Sequence, residues 1–396
     1  MKRYKLLNNV LGWVVFVIAA VTYILTLEST ASFWDCGEFI ASGYKLEVGH
    51  PPGNPIFMLT ARFFANFASS PSEVAYMVNL MSGLLSAATI LLLFWTITRL
   101  AQKIVLREGE TEETMSLGQM IAILGCGLVG ALAYAWSDTF WFSAVEGEVY
   151  AYSSFCTALV FWLILKWESV ADLPHANRYI ILIAYIIGVS IAVHLLNLLC
   201  IPAIVLVYYY RKYKNTDLKG SLIALLVSFV LIVLLLYGLV PGFVEVASWV
   251  ELLFVNVFHL PFNSGVVFYF FLIVGVIAWA IYETYAQRSD KLIKISFLIS
   301  IVLVGIPFIG DGYIIGIVLT AALAYYLFTR KKLAVVAMNT ILLSLFVIFI
   351  GYSSYALIVI RSTANTPMDQ NSPEDIFSLG GYLNREQYGD LSLIHI

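Results

Sequence analysis

The sequence predicts an all-α polytopic membrane protein, and composition is the first observation behind that prediction. Of 396 residues, 61% are hydrophobic and only 12% are charged, and the mean hydropathy is +0.89. Soluble domains are about half apolar and about one quarter charged. The second observation is that long apolar runs recur along the whole chain. Because the backbone must satisfy its own hydrogen bonds in lipid, such runs indicate membrane-spanning helices.

Eleven segments approach the ~20 apolar residues that a span requires. They lie near 8–27, 75–99, 119–137, 149–167, 179–195, 197–210, 221–240, 265–285, 292–309, 313–329 and 334–357. The sequence leaves open where the fifth span ends and the sixth begins, and likewise the ninth and tenth. The first segment lacks a small-residue cleavage site, which predicts an uncleaved first helix. A Phe-rich apolar segment at 56–68 is shorter, and its length predicts an interfacial or re-entrant helix.

The third observation is the distribution of basic residues, which are enriched in cytoplasmic loops of membrane proteins. With a cytoplasmic N-terminus and alternating spans, only Lys45, Arg62, Arg361 and Arg385 of the 22 basic residues fall outside. Most acidic residues fall on the outer side instead. We therefore expect a multi-pass protein of the cytoplasmic (inner) membrane whose chemistry lies on the extracytoplasmic face.

The first outer loop, residues 28–74, contains the densest group of ionisable residues in an apolar context. Asp35 and Glu38 are spaced i, i+3, so one helical turn places both carboxylates on the same side. A partly desolvated carboxylate near the membrane surface can accept a proton from a hydroxyl. The alternative is a helix cap or an interfacial salt bridge, for instance with Lys45.

A rigid bend, GHPPGNP at 49–55, follows in the same loop. Its two prolines fix φ and remove donors, so a helix-breaking turn explains them without any function. His50 is not explained in this way. Its imidazole can orient a carboxylate or bind a phosphate.

Further candidates for ligand binding lie at the outer ends of later helices. They are Glu146, Glu148, His194, Asn197 and Arg361. Carboxylates beside aromatic rings suit a sugar, because the ring stacks while the acids bind hydroxyl groups. Arg presents a fork that matches phosphate oxygens. The alternatives are an aromatic belt for the glutamates, helix packing for His194 and Asn197, and a headgroup anchor for Arg361.

Several other classes of function lack their signatures. The basic residues form no long stripe, which argues against nucleic-acid binding. The four cysteines are far apart and include no CxxC pair, so neither a disulfide framework nor a zinc site is expected. No Walker loop, HExxH, GxSxG or dinucleotide fingerprint is present where it is needed.

The sequence predicts two regions. Residues 1–360 form the transmembrane domain, and residues 361–396 begin a polar extracytoplasmic segment. The polar segment ends without a cap, so we expect it to be the start of a longer region. A chain cut short in this way can be inactive by itself.

The ensemble of five motifs resembles a known group of membrane proteins. In chain order they are WDCGEF, GHPPGNP, EGEVYA, HLLNLL and YLNREQYG. They are similar to a bacterial family of long-uncharacterised membrane proteins that is related to the eukaryotic transmembrane O-mannosyltransferase acting on plexin-type receptors. More broadly, they resemble the GT-C superfamily. The likeness covers essentially the whole chain, and no single motif decides it.

The resemblance implies a GT-C-like fold and a glycosyltransferase. In that superfamily an acidic motif of the first outer loop supplies the catalytic base, which matches Asp35 and Glu38. The acids here are split as DxxE, whereas O-mannosyltransferases have an adjacent Asp-Glu pair, so which one is the base stays open. A further acid of the second outer loop is matched by Glu146 or Glu148.

The resemblance also implies the reaction and its partners. We expect a mannose-like sugar to move from a polyprenyl-phosphate donor to a hydroxyl of a protein or glycan, in one inverting displacement. Asp35 then deprotonates or orients the acceptor hydroxyl, and Arg361, with either His50 or His194, stabilises the leaving phosphate. No cofactor is assigned, although paired carboxylates are compatible with a divalent cation. The alternative is a multi-span transporter or lipid flippase, which predicts ionisable residues at mid-membrane positions.

Overall fold

The computed structural model describes residues 2–309, 313–330 and 332–389. Within these ranges it contains α-helices with short 3-10 and π-helical turns, and no β-strand. The predicted all-α class is therefore confirmed. Asp311, Lys331 and Asp390, which enter the predicted charge distribution, lie outside the described residues.

Seventeen α-helices follow one another in the described residues. They are α1 (Lys2–Leu25), α2 (Cys36–Lys45), α3 (Pro55–Ala65), α4 (Val74–Val105), α5 (Leu117–Ala135), α6 (Asp138–Ala144), α7 (Val149–Val170), α8 (Arg178–Ile191), α9 (Ile201–Lys212), α10 (Leu218–Val233), α11 (Val240–Leu252), α12 (Ser264–Ala286), α13 (Asp290–Leu303), α14 (Tyr313–Thr329), α15 (Val335–Tyr352), α16 (Ala356–Thr363) and α17 (Ile376–Leu383).

Eight helical segments of the described residues are long and apolar enough to cross a membrane. They are Arg3–Leu25, Pro71–Val105, Leu117–Ala135, Val149–Val170, Leu195–Lys212, Leu218–Val257, Ser264–Ala286 and Val335–Thr363. Helices α8 and α14 are apolar but shorter. The predicted count of eleven spans is therefore not confirmed. The predicted segment 56–68 does form a helix, α3, and its interfacial position stays a prediction.

One predicted boundary differs clearly from the structure. We predicted a span at 221–240 followed by an outer loop, but helical structure continues from Leu218 to Val257. A π-helical turn at Leu234–Leu239 precedes Pro241, which occupies the first turn of α11. Proline is tolerated there because the first amides of a helix have no intrahelical acceptor. Helical structure therefore continues through Pro241.

The helices pack around two large apolar cores. One core joins α1, α4 and α5, and the other joins α7, α8, α12 and α15. Helices α8 and α15 approach so closely that a Cβ at Gly188 would lie 2.6 Å from the carbonyl oxygen of Ile348. Small residues permit such backbone contact between membrane helices.

The connections of these helices define two ends of the bundle. Residues 26–73, 136–148 and 192–200 meet at one end, which we call the acidic end. The Glu28 amide donates to the Val145 carbonyl at 3.1 Å, and the Ile56 amide donates to the Ala192 carbonyl at 3.1 Å. Residues 106–116, 171–177 and 213–217 connect the same helices at the opposite, basic end. The loops that carry the predicted site residues are thus brought together at one end.

Candidate active site

Asp35 and Glu38 are positioned by the short helix α2. Asp35 occupies the residue before the helix, and Glu38 lies in its first turn. The Asp35 side chain forms no capping hydrogen bond and is exposed. Its carboxylate is therefore open to a substrate. Glu38 is more buried and has fixed partners.

The Glu38 carboxylate is held by two other segments of the chain. Its Oε1 accepts hydrogen bonds from the His50 backbone amide at 2.6 Å and from the His50 ring Nδ1 at 2.8 Å. Its Oε2 accepts from Gln370 Nε2 at 3.2 Å. Burial alone would raise the pKa of Glu38, but the hydrogen bonds from His50 outweigh it and hold the pKa below its ordinary value. The hydrogen bond to Glu38 in turn raises the pKa of His50, so both partners favour their charged forms.

Asp35, Glu38 and His50 form one compact cluster. One ligand atom from each of the three lies within 4.8 Å of the others. Two carboxylates and an imidazole can hold a divalent cation. Because Nδ1 of His50 already contacts Glu38, a cation bound through that nitrogen would have to replace this hydrogen bond. Nε2 of His50 remains available while Nδ1 contacts Glu38, so the arrangement is compatible with a cation site and with an orienting role for His50.

The second acidic loop lies directly against α2. Glu146 and Glu148 are 4% and 5% exposed, and the Cys36 thiol donates to Glu148 Oε1 at 3.7 Å. Burial raises the pKa of Glu146. Burial, followed by the charges of Glu146 and Asp35, raises the pKa of Glu148 to about 7. Glu148 therefore carries a proton part of the time at neutral pH.

Buried side chains of α4 and the second loop fix the position of the first loop. Asn79 Nδ2 donates to the carbonyls of Glu28 at 2.8 Å and Thr30 at 3.1 Å. Gly147 lies against the same side chain, and a Cβ there would be 3.0 Å from Asn79 Oδ1. The backbone just before Asp35 is thus anchored to a spanning helix.

A segment far along the chain completes the site. Residues 361–389, which we call the closing segment, pair with the first loop through a parallel bridge between Val48 and Asp369. The Val48 amide donates to the Met368 carbonyl at 3.0 Å, and the Gln370 amide donates to the Val48 carbonyl at 3.1 Å. The buried Tyr382 hydroxyl donates to the Gly49 carbonyl at 2.7 Å. The bend at 49–55 is therefore held from both sides.

Arg361 has a structural contact in this arrangement. Its Nε donates to the Leu46 carbonyl at 2.6 Å, and Nη2 donates to the Lys45 carbonyl at 3.4 Å. These are carbonyls at the end of α2, where the last carbonyls of a helix lack intrahelical partners. The guanidinium that we expected to bind phosphate thus joins the closing segment to α2.

His194 and Asn197 lie between α8 and α9. His194 Nδ1 accepts from the Leu196 amide at 3.1 Å, and its ring packs 5.5 Å from that of Tyr150. Burial, and then the charge of Arg385, lowers the pKa of His194. Asn197 is 1% exposed, and neither of its amide atoms has a partner among the described residues. No hydrogen bond of the described residues connects Asn197 to the carboxylate cluster.

Sequence reasoning did not select Cys36, Gln370 or Tyr382, which the structure brings to the site, whereas Arg385 was recognised as an outer cation. Cys36 lies between two glutamates, and Gln370 and Tyr382 fix Glu38 and Gly49 from the closing segment. Arg385 is close enough to influence the pKa of both His50 and His194. Two motifs were the available signals: WDCGEF contains Cys36, and YLNREQYG contains Tyr382 and Arg385.

A family model and curated proteins match part of the chain. The model described as the protein O-mannosyl-transferase TMEM260 N-terminal domain matches residues 35–217. Protein O-mannosyl-transferase TMEM260 of Mus musculus is 27% identical over 209 residues, which are 53% of this chain and 27% of that protein. Protein O-mannosyl-transferase tmem260 of Dictyostelium discoideum is 23% identical over 189 residues, which are 46% of this chain and 20% of that protein. No solved structure matches significantly.

The matched region contains most of the residues of the candidate site. The chain spans about a quarter or less of the length of the curated relatives. The matched region 35–217 includes the cluster of the first loop, both glutamates of the second loop, His194 and Asn197. The closing segment lies beyond it. The chain is related to the protein O-mannosyl-transferases over a region that contains every predicted site residue except Arg361.

Proposed function

We propose that this protein is a membrane glycosyltransferase that moves mannose from a polyprenyl-phosphate donor to a Ser or Thr hydroxyl of a protein. The observation that carries the proposal is the meeting of Asp35 with the Glu38–His50 pair and with Glu148 at one end of the bundle. The relation to protein O-mannosyl-transferases over this region supports it. By the distribution of basic residues, the acidic end faces the extracytoplasmic side of the cytoplasmic membrane.

In the proposed reaction Asp35 is the base. Its exposed carboxylate has no capping hydrogen bond, so it is available to accept the proton of the acceptor hydroxyl. The hydroxyl oxygen then forms a bond to the anomeric carbon, while the bond from that carbon to the phosphate oxygen breaks. The electron pair of that bond leaves with the polyprenyl phosphate. A single displacement of this kind inverts the anomeric configuration.

The neighbouring groups orient the base and balance its charge. His50 is held by Glu38 with a raised pKa, so it remains cationic over a wider range of pH. A cation at this position lowers the free energy of a leaving phosphate. Glu148, with a pKa of about 7, adds little repulsion to Asp35 when it is protonated.

A cavity lined by Arg385, whose charge acts on His50, is the proposed donor site. It has a volume of about 700 Å³ and lies between α11 and the closing segment. Tyr237, Phe377 and Arg385 are among its lining residues, together with Glu245 and Glu386. Apolar and aromatic walls accommodate an isoprenoid chain, and a guanidinium matches phosphate oxygens. We therefore propose Arg385 as the main phosphate contact and Arg361 as the residue that holds α2.

The decisive experiment compares two loop carboxylates in isolated membranes. Transfer from a labelled polyprenyl-phosphate mannose to a Ser/Thr peptide is measured for Asp35→Asn and for Glu73→Gln. Because general-base catalysis contributes about 10²–10⁴-fold, we expect a rate loss of that size for Asp35→Asn and a normal rate for Glu73→Gln. Glu73 is exposed in the same loop and serves as the matched control. Normal transfer by stably expressed Asp35→Asn would exclude Asp35 as the base.

A further inference from the structure

A second cavity lies at the basic end of the bundle, far from the carboxylate cluster. It has a volume of about 470 Å³, and its walls are the first turns of α1 and the last turns of α4 and α7. On α4, Asn79 anchors the acidic end, and Arg99 lines this cavity twenty residues later. At a rise of about 1.5 Å per residue, the two places are separated by about 30 Å, the thickness of a bilayer core.

The cavity carries an excess of positive charge. Among its lining residues, Lys5, Arg99 and Lys166 are basic, and Glu112 is acidic. Polar side chains, including Gln102, complete the lining. Three cations against one carboxylate leave a net positive charge, which favours an anionic ligand.

The guanidinium of Arg99 makes only long contacts with acceptors of the described residues. Its Nη1 lies 3.4 Å from Gln102 Oε1, and Nη2 lies 3.7 Å from Glu168 Oε2. Charge-assisted hydrogen bonds are shorter, at about 2.7–2.9 Å. Glu168 makes its shorter contact with Lys103, which does not line the cavity. The donors of Arg99 are therefore left for an oxygen that the protein itself does not supply.

The two lysines of the cavity also lack close hydrogen-bond acceptors in the part of the chain that the structure describes. Lys5 Nζ lies 3.8 Å from Glu112 Oε2, which is again longer than a charge-assisted hydrogen bond. Lys166 forms no salt bridge with the described residues. Its Nζ lies 4.9 Å from the centroid of the Trp162 ring. All three cations of the cavity thus retain hydrogen-bonding capacity.

An aromatic wall accompanies these cations. The rings of Trp95 and Trp162 are 5.9 Å apart, and both line the cavity with Leu165. Tryptophan is enriched where a membrane protein passes from lipid to water. A ligand with an anionic head and an apolar body would satisfy both parts of the lining.

We propose that this cavity binds the phosphate ester of an anionic membrane lipid in the leaflet opposite to the candidate active site. Basic pockets between membrane helices bind anionic headgroups in this way. Arg99 and Lys166 contact the phosphate oxygens, while Trp95 and Trp162 pack against the glycerol and the first methylene groups. A free phosphate would share the ionic contacts, but it would leave the aromatic wall without a partner.

Native mass spectrometry of the full chain tests the proposal. The detergent-solubilised protein is titrated with phosphatidylglycerol, and phosphatidylcholine and inorganic phosphate are tested in parallel. Arg99→Gln and Lys166→Gln are compared with Lys214→Gln, an exposed cation of the 213–217 connection at the same end. Loss of one hydrogen bond to a charged group corresponds to about tenfold weaker binding. We expect that loss for the two cavity variants and an unchanged affinity for the control.

Three results would overturn the proposal. The first is equal affinity for phosphatidylglycerol in all variants, and the second is equal binding of phosphatidylcholine by the wild type. The third is full displacement of the lipid by inorganic phosphate at the same concentration, which would exclude a lipid source. Arg99→Lys keeps the positive charge and serves as the folding control. If Arg99→Gln does not fold, the comparison of Lys166→Gln with Lys214→Gln still tests the proposal.

Discussion

The carboxylate of Glu38 accepts two hydrogen bonds from His50, one from the backbone amide and one from the ring. This contact joins α2 to the bend at 49–55 and fixes the imidazole beside Asp35. The two acids of the DxxE motif are therefore not equivalent. Glu38 is engaged by its neighbours, whereas Asp35 is free to meet a substrate.

The Glu38–His50 contact predicts a pH-dependent stability. The pKa of His50 is raised, so its contribution is fully present below its ordinary pKa of about 6.5 and is lost as pH rises through the higher folded value. We expect His50→Asn to lower the free energy of unfolding by about 1–2 kcal/mol at pH 6 and by less at pH 9. Thermal unfolding at both pH values measures this. The control is His175→Asn, at an exposed histidine of the basic end, and an equal loss at both pH values would contradict the prediction.

Gly49→Ala should disturb the same contact by steric means. A Cβ at Gly49 would lie 2.6 Å from Glu38 Oε1, so the carboxylate must move away from His50. We expect transfer to fall by about tenfold, because a misplacement of about 1 Å near a reacting centre has a large effect. Gly37→Ala is the matched control, since a Cβ there meets only the Ala31 side chain at 3.9 Å. If both variants transfer mannose equally well, the tight packing around Glu38 is not needed.

Glu148→Gln should stabilise the protein in mildly alkaline solution. The pKa of Glu148 is raised from 4.5 to about 7, chiefly by burial. The folded state therefore holds a proton that the unfolded state loses, and stability falls as pH rises between these two values. Glutamine is neutral and removes the cost of ionising a buried carboxyl group. We therefore expect the free energy of unfolding to rise by about 2 kcal/mol at pH 8 and to change little near pH 4.5. Chemical unfolding at several pH values tests it against Glu73→Gln, and a gain that is independent of pH would refute it.

Tyr382→Phe should weaken the attachment of the closing segment. The substitution removes the hydroxyl that donates to the Gly49 carbonyl and leaves that buried acceptor without this partner. The expected cost is about 1–3 kcal/mol in the free energy of unfolding, measured by thermal unfolding. Tyr388→Phe, at an exposed tyrosine of the same segment, should have no effect. Equal stability of the two variants would show that the contact contributes little.

The sequence predicted those features that depend on local chemistry. The all-α class follows from composition, and the i, i+3 spacing placed Asp35 and Glu38 on one side of a turn, as the structure has them. The pairing of His50 with a carboxylate was one of two alternatives considered for that residue. The contact of Arg361 with the end of α2 was not predicted, because its partners are backbone carbonyls, which no side-chain pattern indicates. The helical continuation through Val257 was missed because the span was ended at 240, after the ~20 residues that a bilayer crossing requires.

Contacts between distant segments could not be predicted from one sequence. Gln370 and Tyr382 have no local pattern that indicates Glu38 or Gly49 as partners. Nothing in the spacing of the second loop indicates that the Cys36 thiol contacts Glu148. These contacts arise because several helices end together at the acidic end. Only the assembled bundle reveals them.

The bridge between Val48 and the closing segment has a consequence for how the protein is made. Gly49 and its partner Tyr382 are 333 residues apart in the chain, and synthesis proceeds from the N-terminus. The loop that contains Asp35 is therefore translated before the closing segment and acquires the contact with Tyr382 only after that segment has been made. The nascent chain contains every carboxylate of the cluster long before it has the means to hold them in place. Synthesis of the closing segment therefore determines when the site can reach its final arrangement.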